Sequence, residues 1–249
     1  MKPRESSAGG APLDLYRCLE WRPLDWAPAA EVALRAAAGN LVEGAQVLEV
    51  GYHSGMMSLY VASRYGVRVT GYEVDPAARE LAVRNAERHG LADRVDFRLC
   101  GREETTRLTG SYDAVFLKSV LFHIADPADY RRWLAWLRSV LRPGGVLVAL
   151  ENGRGGLLTR IYRTRVSPKS YARCCLVDRD RVADFRATFD RVEAWHFGRL
   201  SPYVGWWPAA HRVVAALERR FWPATADENF VTALVAFRGE RAAAPEDPR

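Results

Sequence analysis

Two short stretches of this chain carry residue types able to seat and orient a small ligand. Glu49-Val50-Gly51-Tyr52-His53-Ser54-Gly55 closes one apolar run, and Gly71-Tyr72-Glu73-Val74-Asp75 closes the next. Glu73 follows Gly51 by roughly 20 residues, the separation at which an acidic side chain meets the ribose hydroxyls of a bound nucleoside. A carboxylate accepts from both hydroxyls at once, while loop glycines let the backbone approach the ligand. A third apolar run ends in Leu117-Lys118-Ser119 and leads to His123. An imidazole there can act as a general base or can serve the loop's own packing. His53 has the same two readings, as a loop-packing side chain or as one touching the ligand.

These groups need elements to hold them. From Gln46 onward, short apolar runs alternate with amphipathic stretches. Val47–Val50, Val67–Glu73, Val95–Leu99, Tyr112–Leu117 and Val146–Leu150 read as strands. Met56–Tyr65, the stretch from Asp75-Pro76 to His89, and Asp129–Leu141 read as helices. After Asn152 the rhythm changes to a helix near Asp180–Thr188, a strand near Arg191–Phe197, a helix near Ala209–Phe221 and a last strand over Phe230–Phe237. The expected fold is α/β. It is a doubly wound, mostly parallel seven-stranded sheet with an antiparallel edge strand, an N-terminal helical cover and an insertion after the fifth strand. Residues 13–238 are expected to form one folded unit, with 46–151 as its ligand-binding core and 152–228 as substrate-side segments. Residues 1–12 and 239–249 are expected to be flexible tails.

Composition narrows the function classes. The 249 residues are 49% hydrophobic and 27% charged, which excludes disorder over the whole length. No apolar run is long enough for a membrane span and the N-terminus lacks a signal-peptide core, so a cytoplasmic protein is expected. Cys18, Cys100, Cys174 and Cys175 form no C-x-x-C pair, and neither a disulfide framework nor a structural metal is indicated. The formal charge of +6 equals the excess in one segment. Between Asn152 and Cys175 stand Arg154, Arg160, Arg163, Arg165, Lys169 and Arg173 with no Asp or Glu. A neutral protein with one basic segment points to a local anion-facing patch rather than to nucleic-acid coating.

The loop after the first strand has glycine only at Gly51 and Gly55, which does not fit the G-x-G-x-x-G of dinucleotide binders. It resembles the first motif of the class I S-adenosylmethionine-dependent methyltransferases, an acidic residue, any residue, then G-x-G-x-G, with His53 in place of the middle glycine. The resemblance runs from about Gln46 to Glu151. It takes in Glu73, Tyr112-Asp113-Ala114-Val115-Phe116, Val120-Leu121-Phe122-His123-Ile124, Asp126-Pro127 and Leu141-Arg142-Pro143-Gly144-Gly145-Val146-Leu147.

The resemblance implies S-adenosyl-L-methionine as cofactor. Glu49 would orient the loop and the methionine end, Gly51, Tyr52, His53 and Gly55 would line the passage, and Glu73 with Val74 would hold the ribose. The stretch around Gly101 would lie near adenine, where Cys100-Gly101-Arg102 replaces the acidic residue often found after the third strand. Lys118 would lie near the reacting centre. Acidic metal ligands after the fourth strand and an Asn- or Asp-Pro-Pro-aromatic motif are both absent. A metal-independent methyltransferase acting on oxygen or nitrogen of a small acceptor is therefore expected, as a monomer or homodimer without a nucleic-acid partner.

His123 is the candidate base, and Tyr16, Arg154, Arg160 and Arg163 are candidate acceptor contacts. Two other functions fit the residues. One is cyclisation or alkyl transfer from the same sulfonium, and the other is a non-catalytic binding protein. The helix with Val213, Leu217 and Phe221 at helical spacing, flanked by Trp206, Trp207 and Trp222, is expected to pack into the core. A lid, a dimer face or a membrane-surface contact are its other readings.

Overall fold

Runs of Val, Leu and Phe covered on both faces make the strands. A computed structural model of the chain describes residues 13–166 and 176–239, apart from the side chains at 158, 162, 163 and 166. The expected tails at 1–12 and 240–249, and Lys169, Tyr171, Arg173, Cys174 and Cys175, lie outside the described residues. The strands are β1 (Gln46–Val50), β2 (Arg68–Glu73), β3 (Val95–Leu99), β4 (Tyr112–Lys118), β5 (Leu141–Asn152), β6 (Arg191–Phe197) and β7 (Val231–Phe237). The helices are α1 (Leu15–Cys18), α2 (Pro23–Ala36), α3 (Met56–Tyr65), α4 (Pro76–Arg88), α5 (Arg102–Thr105), α6 (Pro127–Val140), α7 (Leu157–Val166), α8 (Arg179–Thr188) and α9 (Pro208–Phe221).

The seven strands form one sheet in the order β3-β2-β1-β4-β5-β7-β6. Neighbours from β3 through β5 pair in parallel, and β7 is antiparallel to both β5 and β6. The antiparallel strand therefore sits at the β5 end of the sheet, with β6 outside it. The crossover from β5 through α8 to β6 leaves one strand position open, and β7 fills it. Pairing on both edges and cover on both faces explain why Val231–Phe237 is buried throughout.

Successive side chains serve opposite faces. Val47, Val69, Phe116, Val148 and Val235 face the cluster that holds Trp26 and Ala30 of α2 and Val61 of α3. Leu48, Val115, Leu117, Leu147 and Leu234 face the cluster of Trp133, Leu134 and Leu137 of α6 with Phe185 of α8. Helix starts follow the sequence signals: Asp75 accepts from the Ala77 N–H at 2.9 Å, Asp126 accepts from the Asp129 N–H at 2.8 Å, and a proline occupies the first position after each.

The C-terminal helix departs from expectation. Val213, Leu217 and Phe221 of α9 are exposed, and its buried residues are His211, Ala215 and Glu218. Two polar anchors select this face. Glu218 accepts from the Leu200 and Ser201 N–H groups at 2.7 and 3.0 Å and from the Ser201 hydroxyl at 2.8 Å. His211 Nε2 lies 2.9 Å from Asp25 Oδ1, whose other oxygen accepts from Arg22 Nε at 2.6 Å. Turning the apolar stripe inward would bury neither anchor with its partner, and an unpaired buried carboxylate costs several kcal/mol.

Asp25 thus ties the N-terminal cover to the C-terminal helix. Replacing it by alanine strands two cationic or dipolar partners inside the protein. Asp25→Ala is expected to lower unfolding free energy by about 3–5 kcal/mol in urea titrations, against a much smaller loss for Asp25→Asn.

Candidate functional site

The winding reverses between β1 and β4, so the connections leave these strands toward opposite sides and a crevice opens beyond their C-terminal ends. A pocket of about 900 Å³ occupies it. Glu49, Gly51, Tyr52, His53, Glu73, Val74, Lys118 and His123, all picked out by sequence, line this pocket. Gly55 and Gly101 do not. Gly55 caps α3 with φ +74°, where a Cβ would stand 2.6 Å from the Phe97 ring, and Gly101 caps α5. Cys100 and Arg102 beside Gly101, and Ser54 and Met56 beside Gly55, do reach the wall.

The loop after β1 has the backbone its sequence demands. Gly51 lies at φ +73°, and a Cβ there would meet Val120 Cγ2 at 2.6 Å, so only glycine fits. His53 holds φ +47° in a region that favours glycine. Its imidazole turns to the rim, 3.4 Å from the Glu20 carboxylate, leaving the inner space to the loop backbone. The His53 N–H donates to Glu73 Oε2 at 3.0 Å, and the Val74 and Asp75 N–H groups donate to Glu73 Oε1 at 2.7 and 3.4 Å. A carboxylate has about four acceptor positions. Glu73 is thereby oriented with acceptor capacity left over.

Glu49 is buried and accepts from the Ser58 hydroxyl. Burial pushes its pKa up to about 7, against the opposing pull of Ser58 and Lys118. Lys118 donates from Nζ to the Leu19 carbonyl at 3.0 Å, and burial lowers its pKa while Glu20 and Glu49 oppose the shift. The same contact draws the segment before α2 over the pocket, where Cys18, Glu20 and Trp21 line it. The expected N-terminal cover is present, although Tyr16 is exposed and off the pocket.

His123 ends a 3-10 turn, Leu121–His123. Burial first and Arg102 second hold its pKa below the ordinary value, so its ring is neutral at pH 7. Sequence reasoning missed the residue that fixes this turn. Glu151, fully buried at the end of β5, accepts from the N–H groups of Val120 (3.0 Å), Leu121 (2.9 Å) and Phe122 (3.3 Å). Burial pushes its pKa up to about 7 despite those donors. The signal was present in sequence: an acidic residue directly after the apolar run Val146–Leu150.

The arginines chosen as acceptor contacts do not gather here. Arg154 lies 3.5 Å from Asp178, the carboxylate that caps α8, and Arg160 is exposed on α7. The Arg163 side chain lies outside the described residues. The cations that do line the pocket are Lys118 and Arg102.

Glu49 and Glu151 make stability depend on pH. Both folded-state values, about 7, exceed the 4.5 of an exposed glutamate, so the native state holds more protons than the unfolded one between those values and stability falls as pH rises through that window. Each group accounts for on the order of 3 kcal/mol. Urea unfolding at pH 5.5 and 7.5 should therefore give a smaller free energy at the higher pH, and Glu151→Gln should remove roughly half of the difference.

Residues 47–145 match the family model described as a methyltransferase domain. The ubiquinone biosynthesis O-methyltransferase of Methylocella silvestris is 36% identical over 115 residues, 45% of this chain and 42% of that protein. The chain thus spans less than half the length of the curated relatives it matches first. Phosphoethanolamine N-methyltransferase 2 of Haemonchus contortus, solved with S-adenosyl-L-methionine, has the same fold with a TM-score of 0.62 and 15% identity, over 90% of this chain and 57% of that one. Geranyl diphosphate methyltransferase superposes with a TM-score of 0.61 and 17% identity, over 93% and 94% of the two chains. The matched stretch, the acidic-loop motif within it and the strand order around it agree with a class I S-adenosylmethionine-dependent methyltransferase domain.

Proposed function

We propose that this protein transfers a methyl group from S-adenosyl-L-methionine to an oxygen or nitrogen of a small acceptor without a metal ion. The observation that carries the reading is Glu73, anchored by three backbone N–H groups at the edge of a pocket of about 900 Å³, with an acceptor position to spare on the oxygen that takes only one of them. The residues fit the cofactor. Glu73 would hold the ribose, Cys100 and Arg102 would flank the base, and Glu49 with the Gly51 loop would face the methionine end. When bound, the cofactor supplies an electrophilic methyl carbon on a positively charged sulfur.

The protein's own contribution is alignment and proton removal. Glu151 fixes the turn that carries His123. Neutral His123 takes the acceptor's proton as the new bond forms. Trp21 and Glu20 cover the pocket and exclude water. A second cavity of about 650 Å³, lined by Tyr203, Trp206 and Phe230 among others, suits the body of an apolar or aromatic acceptor. Trp21 lines the first pocket and its ring centre lies 6.4 Å from that of Phe230, which lines the second. An anionic group on the acceptor would meet Arg102 or Lys118 rather than Arg154. His53, which kept alkyl transfer or cyclisation open, faces Glu20 at the rim and gives that reading no support.

Isothermal titration with S-adenosylmethionine and S-adenosylhomocysteine tests the cofactor site. Micromolar binding, about −8 kcal/mol, is expected, weakened tenfold or more by Glu73→Ala. No binding by the native protein would overturn the reading in favour of a non-catalytic protein, and release of 5'-methylthioadenosine would overturn it in favour of alkyl transfer.

The base is tested separately once an acceptor is found. kcat should fall as pH drops through the lowered pKa of His123, below 6.5. His123→Gln should abolish that limb and lower kcat by about 10² to 10⁴ with cofactor affinity unchanged.

A further inference from the structure

Two ionisable side chains of opposite sign stand on one wall of the pocket without bonding each other. β1 and β4 are parallel neighbours with Glu49 opposite Phe116. Lys118 stands two residues past Phe116, so Glu49 and Lys118 project from the same face of the sheet. Both line the pocket. Each acts on the other through its field, yet no ion pair joins them.

The bonds that each does make leave capacity for a ligand. The Lys118 ammonium has three N–H donors and spends one on the Leu19 carbonyl at 3.0 Å, with the Trp26 ring centre 5.6 Å away. Glu49 is buried, and the Ser58 hydroxyl bonds one of its oxygens, Oε2. A poorly hydrated charge without a counter-ion is costly, and a ligand that brings the missing charge recovers that cost on binding. Two such groups of opposite sign, side by side in one pocket, suit a ligand that carries both signs close together.

From this we propose that Lys118 binds the α-carboxylate of S-adenosyl-L-methionine while Glu49 takes its α-ammonium, so that the pair selects an amino-acid zwitterion at the methionine end. The assignment deepens the proposed methyl transfer and rests on that reading. Lys118 is then a specificity residue as well as the tie that holds the N-terminal cover. An anionic group on the acceptor is left to Arg102, which lines the same pocket.

Isothermal titration with S-adenosylhomocysteine and with its decarboxylated analogue, which keeps the amino group, tests the assignment. The native protein should prefer S-adenosylhomocysteine by about 10- to 100-fold, the worth of a hydrogen bond between charged groups. In Lys118→Met that preference should shrink to about threefold or less, and in Lys118→Arg most of it should remain. The ratio is taken within each variant, so a general loosening of the cover, which weakens both ligands alike, cancels. A preference that survives Lys118→Met puts the carboxylate elsewhere and overturns the assignment. Equal binding of the two ligands by the native protein overturns it as well, and that comparison needs no variant to fold. Failure of the native protein to bind S-adenosylhomocysteine at all would remove the cofactor reading and this assignment with it.

Discussion

The gap left where the sheet's winding reverses, between β1 and β4, governs the rest of the structure. Two neighbouring parallel strands whose connections depart to opposite faces cannot cover their own C-terminal ends. Backbone N–H groups there need acceptors, and the protein supplies carboxylates. Glu73 gathers amides from the loops after β1 and β2, and Glu151 gathers three from the turn after β4. Each acid joins elements that come from different strands. The crevice is therefore a rigid frame rather than a space between loose loops.

Burial gives these carboxylates a second property. Glu49 and Glu151 have so little water around them that both titrate near neutral pH, and Lys118 is held below its ordinary value by the same cause. A site whose charges are this poorly solvated responds strongly to an incoming positive group, since few water dipoles compete. His123 belongs to the same pattern: burial and Arg102 keep it neutral and able to accept a proton.

Cover is achieved by long-range polar ties rather than by hydrophobic packing alone. Lys118 holds Leu19, and Arg22 with Asp25 reaches Pro202 and His211. The first of these contacts holds the N-terminal segment over the crevice, and the others join that segment to the turn before α9 and to α9 itself. They also dictate the orientation of α9, whose polar side is spent on the protein and whose apolar stripe is left outside. A helix can be amphipathic in the ordinary sense and still be mounted the wrong way round when its polar residues are the ones with buried partners.

Local pattern in the sequence was enough for the strands, the capped helices, the glycine at position 51 and the acid at position 73. Each depends on nearest neighbours: alternating or continuous apolar runs, an Asp-Pro pair, a loop with no room for a side chain. The β1 and β2 side of the crevice was legible for that reason. What the sequence could not determine were pairings between distant residues. Glu151 meets amides about thirty positions away, Asp25 meets His211 across nearly the whole chain, and Arg154 is taken up by Asp178 instead of a ligand. Periodicity marks that a helix has two faces, but only the partners available in the folded protein decide which face is buried, because the cost of an unpaired buried charge exceeds the gain from hiding a few apolar side chains.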